Sequence, residues 1–115
     1  MDNLILVKSK SFAIRNINLY KYLCKDKREF VLSKQMLRSA TSIGANCREA
    51  SRAQSTADFI SKLNIALKEA EETEYWLELL HETDYMDDRQ FDSIYGDAEE
   101  IIKILVSIIK TTKNS

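Results

Sequence analysis

The chain has 115 residues, 44% of them hydrophobic, which is enough for one continuous core, so the sequence predicts a single domain spanning residues 1–115. It contains no proline and only two glycines, so few residues could build hairpin turns. This composition argues against a β fold and predicts an all-α protein. The formal net charge of −1 at pH 7 conceals opposite charges on the two halves of the chain.

Two helices are predicted in the first half. The first runs from about Leu4 to Lys25, with an apolar stripe at helical spacing, and a charged segment at residues 24–29 then predicts a tight turn. The helical period restarts at Phe30 and continues to Ser51, which predicts the second helix. Small residues crowd residues 37–50 and include Gly44, which costs a helix about 1 kcal/mol relative to alanine. That segment therefore predicts a close helix crossing.

Two further helices are predicted in the second half. Ser55 followed by Asp58 resembles a capping box and predicts a helix start, and a heptad seam of apolar residues continues from there to Leu80. This third helix ends near residues 83–84. Asp87 and the acidic residue after it open a fourth helix, where negative charge suits the helix dipole, and residues 111–115 are predicted to fray.

Short polar connections between four helices predict an up-down-up-down antiparallel four-helix bundle. Several apolar side chains lie off the core stripes, and a bundle has only one inner seam to bury them, so we expect an oligomer interface. These side chains are Leu6, Ile65, Trp76, Leu79 and Ile104.

Location and redox state follow from what the sequence lacks. The apolar run at residues 4–7 is too short for a signal peptide, and no run approaches the roughly 20 apolar residues that span a bilayer. We therefore expect a soluble, cytoplasmic protein without a membrane partner. Cys24 and Cys47 show no CxxC spacing and are interpreted as buried apolar residues rather than as a disulfide.

The sequence contains few features that would indicate an enzyme or a metal-binding protein. Glu78 and His81 match the Glu-x-x-His ligand pair of di-iron bundles, but such a site needs two histidines and the chain has one. His81 is therefore interpreted as a polar residue at a helix end. No glycine-rich nucleophile turn and no phosphate-binding loop is present, so we expect no catalytic residue, cofactor or metal.

The charge asymmetry admits two interpretations. Residues 1–52 contain 11 basic and 4 acidic residues, a net charge of +7, while residues 53–115 contain 6 basic and 14 acidic residues, a net charge of −8. Basic helices could neutralise acidic helices within the bundle, for example through Arg38 or Lys62 contacting Glu69. Alternatively, the basic side could attract phosphate. The sequence is compatible with both interpretations.

The basic residues of the first two helices form the candidate phosphate-binding set. They are Lys8, Arg15, Lys21, Lys25, Lys27, Arg28, Lys34, Arg38, Arg48 and Arg52. We expect Arg15, Arg38, Arg48 and Arg52 to contact nucleic acid. Tyr20 and Tyr22 alone do not form an RNA-stacking platform, so the pattern is not typical of a base-reading module.

Three segments carry a resemblance to a known family. They are QMLRSATSIGAN at residues 35–46, STADFISKLNIALKEA at residues 55–70 and ETEYWL at residues 72–77. With these segments the chain resembles the bacterial 23S rRNA intervening-sequence protein family over nearly its whole length. The family's members are small four-helix bundles similar to the accessory variability proteins of diversity-generating retroelements, which form pentamers. The resemblance implies a ribosomal-protein-like, homopentameric, non-enzymatic protein associated with nucleic acid.

The family signature falls mainly on residues that the resemblance marks as structural. These positions are Arg38, Ser39, Ser42, Gly44, Asn46, Glu49, Asp58, Phe59, Lys62, Glu69, Glu72 and Trp76. The chain departs from the family pattern at Cys47, which replaces an aliphatic residue, and at Arg48, which adds a charge. Two hypotheses follow: an oligomeric bundle that binds rRNA or another nucleic acid, and a scaffold that binds a protein partner without nucleic acid.

Overall fold

The protein is described by a computed structural model that covers residues 3–115. It forms four α-helices: α1 (Asn3–Lys25), α2 (Leu32–Ala50), α3 (Thr56–Glu82) and α4 (Asp88–Lys113). Each helix packs against its sequence neighbours, and α1 and α4 close the ring through a looser contact, in a body of 47 × 20 × 19 Å. The predicted all-α antiparallel four-helix bundle is thus confirmed. Within residues 3–115, no helix is long and apolar enough to cross a membrane.

The starts of α3 and α4 are set by side-chain caps. The Ser55 hydroxyl accepts a hydrogen bond from the Asp58 N–H at 3.0 Å, as predicted, but the Asp58 carboxylate accepts from the N–H of Gln54, at 3.4 Å, rather than from that of Ser55. A complete capping box occurs instead at α4, where Asp87 and Gln90 exchange bonds of 2.7 and 3.0 Å. These caps satisfy N–H groups that have no partner within their own helix.

The start of α2 differs from the prediction. The helix begins at Leu32, and Phe30 lies in the preceding turn with half of its surface exposed. The cause is Glu29, whose buried carboxylate accepts hydrogen bonds of 2.7 to 3.1 Å from the N–H groups of Val31, Leu32 and Ser33. Because Glu29 turns inward to cap α2, the side chain after it turns outward.

The end of α4 also differs from the prediction of a frayed tail at residues 111–115. The helix continues to Lys113, because the N–H of Asn114 still donates to the carbonyl of Lys110 at 3.2 Å. The Thr112 hydroxyl adds a 2.7 Å bond to the carbonyl of Ile108. Only residues 114 and 115 lie beyond the helix.

The core joins all four helices and includes only one of the two cysteines. Cys47 is fully buried and burial raises the pKa of its thiol to about 11, whereas Cys24 is only half-buried, so the prediction of burial is wrong for Cys24. Both thiols are free. The largest fully buried apolar side chains are Ile5, Phe12, Leu23, Met36, Ile43, Leu63, Leu77, Leu80, Ile101 and Leu105.

The two glycines play different roles. A Cβ atom added to Gly44 would lie 3.4 Å from the Ser9 hydroxyl oxygen and 3.6 Å from the Ser9 backbone, so α1 and α2 approach closely there, as predicted. Gly96 lies within α4 with no atom within 4 Å of an added Cβ. The close crossing is therefore specific to Gly44.

Replacing Gly96 by alanine should stabilise the protein. The site is open and helical, so the methyl group meets no obstacle and the lower backbone entropy of the unfolded chain favours folding by about 1 kcal/mol. Urea unfolding followed by circular dichroism at constant protein concentration measures the change. Equal or lower stability of the variant would contradict this expectation.

Candidate nucleic-acid interface

A groove between α1 and α2 is lined by two exposed cations. Lys10 on α1 and Arg48 on α2 are exposed and line a cavity of about 360 Å³ whose floor includes Ser9 and Gly44. Neither cation forms an ion pair within the described part of the chain. Lys10 is absent from the phosphate-binding set predicted from the sequence. Its spacing from Leu6 and Ala13, which line the same groove, is the signal that could have placed it on this helix face.

Arg52 lies just beyond the C-terminus of α2, near the same end of the bundle as Arg48. It is exposed, and its N–H donates to the carbonyl of Glu49 at 3.1 Å, which fixes the backbone of the turn. In residues 3–115 its guanidinium has no acidic partner. The structure thus brings Arg48 and Arg52 to one end of α2 with both charges available.

Arg15 lies at a different helix interface, the one between α1 and α4. It lies against α4, where its guanidinium forms a 2.6 Å ion pair with Asp97 and a 3.2 Å hydrogen bond to the carbonyl of Ser93. Lys8 and Glu100 form a second ion pair between α1 and α4, at 2.7 Å. Much of the charge of Arg15 is therefore compensated within the bundle.

Arg38 lies on the opposite side of the bundle, against α3. Its guanidinium pairs with Glu72 at 3.0 Å, and the same carboxylate oxygen accepts a 3.3 Å hydrogen bond from the Trp76 indole. The predicted contact of Glu69 with Arg38 or Lys62 is wrong, because Arg38 reaches the residue one turn further along α3. Lys62 pairs instead with Glu49, at 3.1 Å.

The α3–α4 side of the bundle is acidic. Partial burial raises the pKa of the Glu74 carboxyl, and the nearby negative charges of Glu99, Glu78 and Glu71 raise it further. Tyr95 donates a 2.6 Å hydrogen bond to Glu78, which raises the pKa of the tyrosine. Because α3 and α4 lie across the ring from the α1–α2 groove, this acidic cluster lies on the side of the bundle opposite Lys10 and Arg48.

His81 lies in the last turn of α3, as the sequence predicts. Its Nε2 atom lies 2.7 Å from the Asp88 carboxylate, and its ring stacks on Phe91 with centroids 4.2 Å apart. Glu78, the other half of the Glu-x-x-His pair, instead accepts the Tyr95 bond. Among the described residues, no group of three or more His, Cys, Asp or Glu is arranged to hold a metal ion.

The signature residues make contacts within the bundle. The Ser39 and Thr73 hydroxyls form a fully buried 2.8 Å hydrogen bond that joins α2 to α3. Within α2, the Ser42 hydroxyl and the Asn46 amide each donate to a carbonyl four residues earlier, at 2.9 and 2.8 Å. Phe59 packs against the core. Glu69 accepts a 2.8 Å bond from the Thr73 hydroxyl through its backbone carbonyl.

The fold and this charge distribution define an antiparallel four-helix-bundle protein with a basic α1–α2 side. The sequence profile of the family described as "23S rRNA-intervening sequence protein" matches residues 1–107. The chain therefore belongs to the 23S rRNA-intervening sequence protein family.

One solved structure is closely similar to this chain. It is the crystal structure of a protein with unknown function from the S23 ribosomal protein family of Bacteroides thetaiotaomicron VPI-5482. The two chains are 63% identical with a TM-score of 0.94, over 95% of this chain and 97% of the other. A search of curated proteins finds no significant match.

Proposed function

We propose that this protein is a non-enzymatic, self-associating bundle that binds structured RNA through the basic α1–α2 side. The observation that carries the proposal is a set of three cations that form no ion pair within residues 3–115 and lie on the side of the ring opposite acidic α3 and α4. They are Lys10, Arg48 and Arg52. Membership of a family named for an rRNA insert favours rRNA as the nucleic acid.

The four arginines expected to bind nucleic acid contribute unequally in this proposal. Arg48 and Arg52 contact phosphate directly, because no carboxylate among residues 3–115 forms an ion pair with them. Arg15 and Arg38 would first have to leave Asp97 and Glu72, so they serve as secondary contacts at the margins of the interface. A charge that is already paired adds little net attraction for phosphate.

Self-association is supported by apolar side chains left at the surface. Leu4, Val7 and Ile14 on α1 are 45 to 62% exposed, and Ile65 on α3 is 42% exposed. Of the side chains expected to lie outside the core, Ile65 is exposed, and Leu6, Trp76, Leu79 and Ile104 are half-buried. Apolar surface of this kind is commonly covered by another subunit. Five subunits is the number that the family resemblance implies.

Binding to a structured 23S rRNA fragment should weaken steeply with salt. Each phosphate that a cation neutralises releases counterions, so Lys10, Arg48 and Arg52 of one subunit predict a loss of about 20- to 40-fold between about 50 and 200 mM salt. Fluorescence anisotropy of the labelled fragment, titrated with protein at several salt concentrations, measures this slope. A protein of equal net charge serves as the control.

Flat anisotropy at low salt would contradict RNA binding and favour the second candidate, a protein-binding scaffold. The exposed side chains of Tyr75 and Ile65 on α3 favour that alternative. A scaffold should capture its partner from cell extract equally well with and without nuclease. A partner lost after nuclease treatment must have been bridged by nucleic acid, which would support the RNA-binding proposal.

A further inference from the structure

The turn between α1 and α2 presents two apolar side chains to solvent in a fixed conformation. Phe30 is 50% exposed and Val31 is 72% exposed. The turn is anchored by Glu29, which caps α2 with three backbone hydrogen bonds and whose own N–H donates to the carbonyl of Leu23 at 3.0 Å. Arg28 adopts a left-handed backbone conformation, with φ of 55°, that reverses the chain. Hydrogen bonds therefore hold the backbone that carries the exposed Phe30 ring in one conformation.

Four exposed cations lie close to this ring in the sequence, and one of them contacts it. The Arg28 guanidinium carbon lies 5.5 Å from the centroid of the Phe30 ring, and Lys25, Lys27 and Lys34 are exposed within five residues of it. None of the four cations forms an ion pair among residues 3–115. Glu29 is buried and its carboxylate accepts hydrogen bonds from the start of α2, so Asp26 is the one exposed carboxylate among residues 25–34. The turn thus combines an aromatic face with a local excess of positive charge.

We propose that this α1–α2 turn binds an unpaired stretch of RNA, with a base stacked on Phe30 and the flanking phosphates held by Lys25, Lys27, Arg28 and Lys34. In single-stranded RNA, a base can stack on an aromatic ring while the phosphates on either side of it bind cations. The Phe30 ring and the four basic side chains near it in the sequence can make both kinds of contact. The site lies at the opposite end of α2 from Arg48 and Arg52. It deepens the proposed function and rests on it, because it specifies single-stranded RNA as part of what the bundle binds.

Two features of the surroundings favour RNA over other occupants. Only two apolar side chains are exposed in the turn against four cations, a small apolar area for insertion into a membrane. The α3–α4 connection at the same end of the bundle is acidic, with Asp84, Asp87 and Asp88 exposed. An RNA strand is therefore guided to the outer edge of the α1–α2 turn, away from that repulsive charge.

The test uses a short single-stranded RNA oligonucleotide carrying one 2-aminopurine, whose fluorescence falls when it stacks on an aromatic ring. The intact protein should quench it on binding. We expect Phe30→Ala to lose the quench and to bind the oligonucleotide about tenfold more weakly, with duplex RNA binding unchanged. Phe30→Trp should keep the quench. Tyr75→Ala is the matched control, because Tyr75 is a similarly exposed aromatic residue on acidic α3.

Each other outcome overturns the proposal in a recognisable way. If Phe30→Ala behaves like the parent while Arg48→Glu with Arg52→Glu weakens RNA binding, the turn is not a binding site but the proposed function stands. If the parent binds no RNA, both proposals fail. If the protein binds anionic phospholipid vesicles in a Phe30-dependent way but does not bind the oligonucleotide, the ring contacts a membrane. If Phe30→Ala loses the oligomeric mass of the parent, the ring forms a subunit contact.

Discussion

Reversing the charges of Arg48 and Arg52 together should lower the affinity for a structured 23S rRNA fragment by about 100-fold at low salt. Both side chains are exposed and lack internal carboxylate partners in the described structure, so each can offer its full charge to a phosphate. A hydrogen bond to a charged group contributes about 1.5 kcal/mol or more, so two lost contacts give roughly this factor. The slope of log affinity against log salt should become shallower by about two phosphates.

The matched control reverses Lys68 and Lys103 instead. These lysines are exposed on α3 and α4, and their reversal changes the net charge by the same amount on the acidic half of the chain. We expect a small effect on affinity from this control. Equal losses in the two double variants would show that net charge, not the α2 site, governs binding. Circular dichroism of both variants establishes that each retains the helical fold.

Replacing Glu29 by alanine should destabilise the fold by about 2 to 4 kcal/mol. The substitution removes the acceptor for the N–H groups of Val31, Leu32 and Ser33, and at Ser33 that donor is buried from water. Loss of a helix N-cap costs about 1 to 2 kcal/mol, and an unsatisfied buried donor adds a similar amount. Glu29→Gln should cost less, because the amide keeps one acceptor oxygen. Urea unfolding at constant protein concentration measures both changes.

The contribution of Glu29 should also depend on pH. Burial alone would raise the pKa of this carboxyl, but hydrogen bonds from the N–H groups of Ser33, Leu32 and Val31 outweigh burial and hold the pKa below its ordinary value of 4.5. A depressed pKa in the folded state stabilises the protein above the pKa of the unfolded chain. The stability difference between the parent and Glu29→Gln should therefore stay constant above about pH 5 and shrink as the pH falls through 4.5 and below.

Glu82→Ala provides the comparison for Glu29. Glu82 is an exposed carboxylate in the last turn of α3, so its removal should change stability by less than about 0.5 kcal/mol. Similar losses in Glu82→Ala and Glu29→Ala, or a Glu29 effect that does not change with pH, would refute the capping role of the Glu29 carboxylate.

The fold was predictable from the sequence because its causes are local. Apolar residues at helical spacing define which segments can bury one face, and the absence of proline leaves the helices uninterrupted. Ser55 and Asp87 mark the starts of α3 and α4, since their short polar side chains can accept bonds from N–H groups three residues ahead. Once four such helices are joined by short turns, an antiparallel bundle follows.

The local sequence pattern does not correctly predict the start of α2. Phe30 has the spacing of a core residue, yet a buried cap by Glu29 turns it outward. Glutamate is usually a surface residue, so its sequence position gives no sign that burial and three backbone donors would hold it inside. The exposure of Phe30 in the α1–α2 turn is therefore decided by the tertiary structure.

The sequence by itself determined the four helices, their order, their antiparallel packing and the division of charge between the two halves. Only the tertiary structure decided which charges are available. Arg15 and Arg38 have partners on helices about 80 and 34 residues away, at Asp97 and Glu72, whereas Arg48 has none in the described chain. The physical reason is that helix formation depends on neighbours along the chain, but ion pairing depends on which helix faces meet across the bundle.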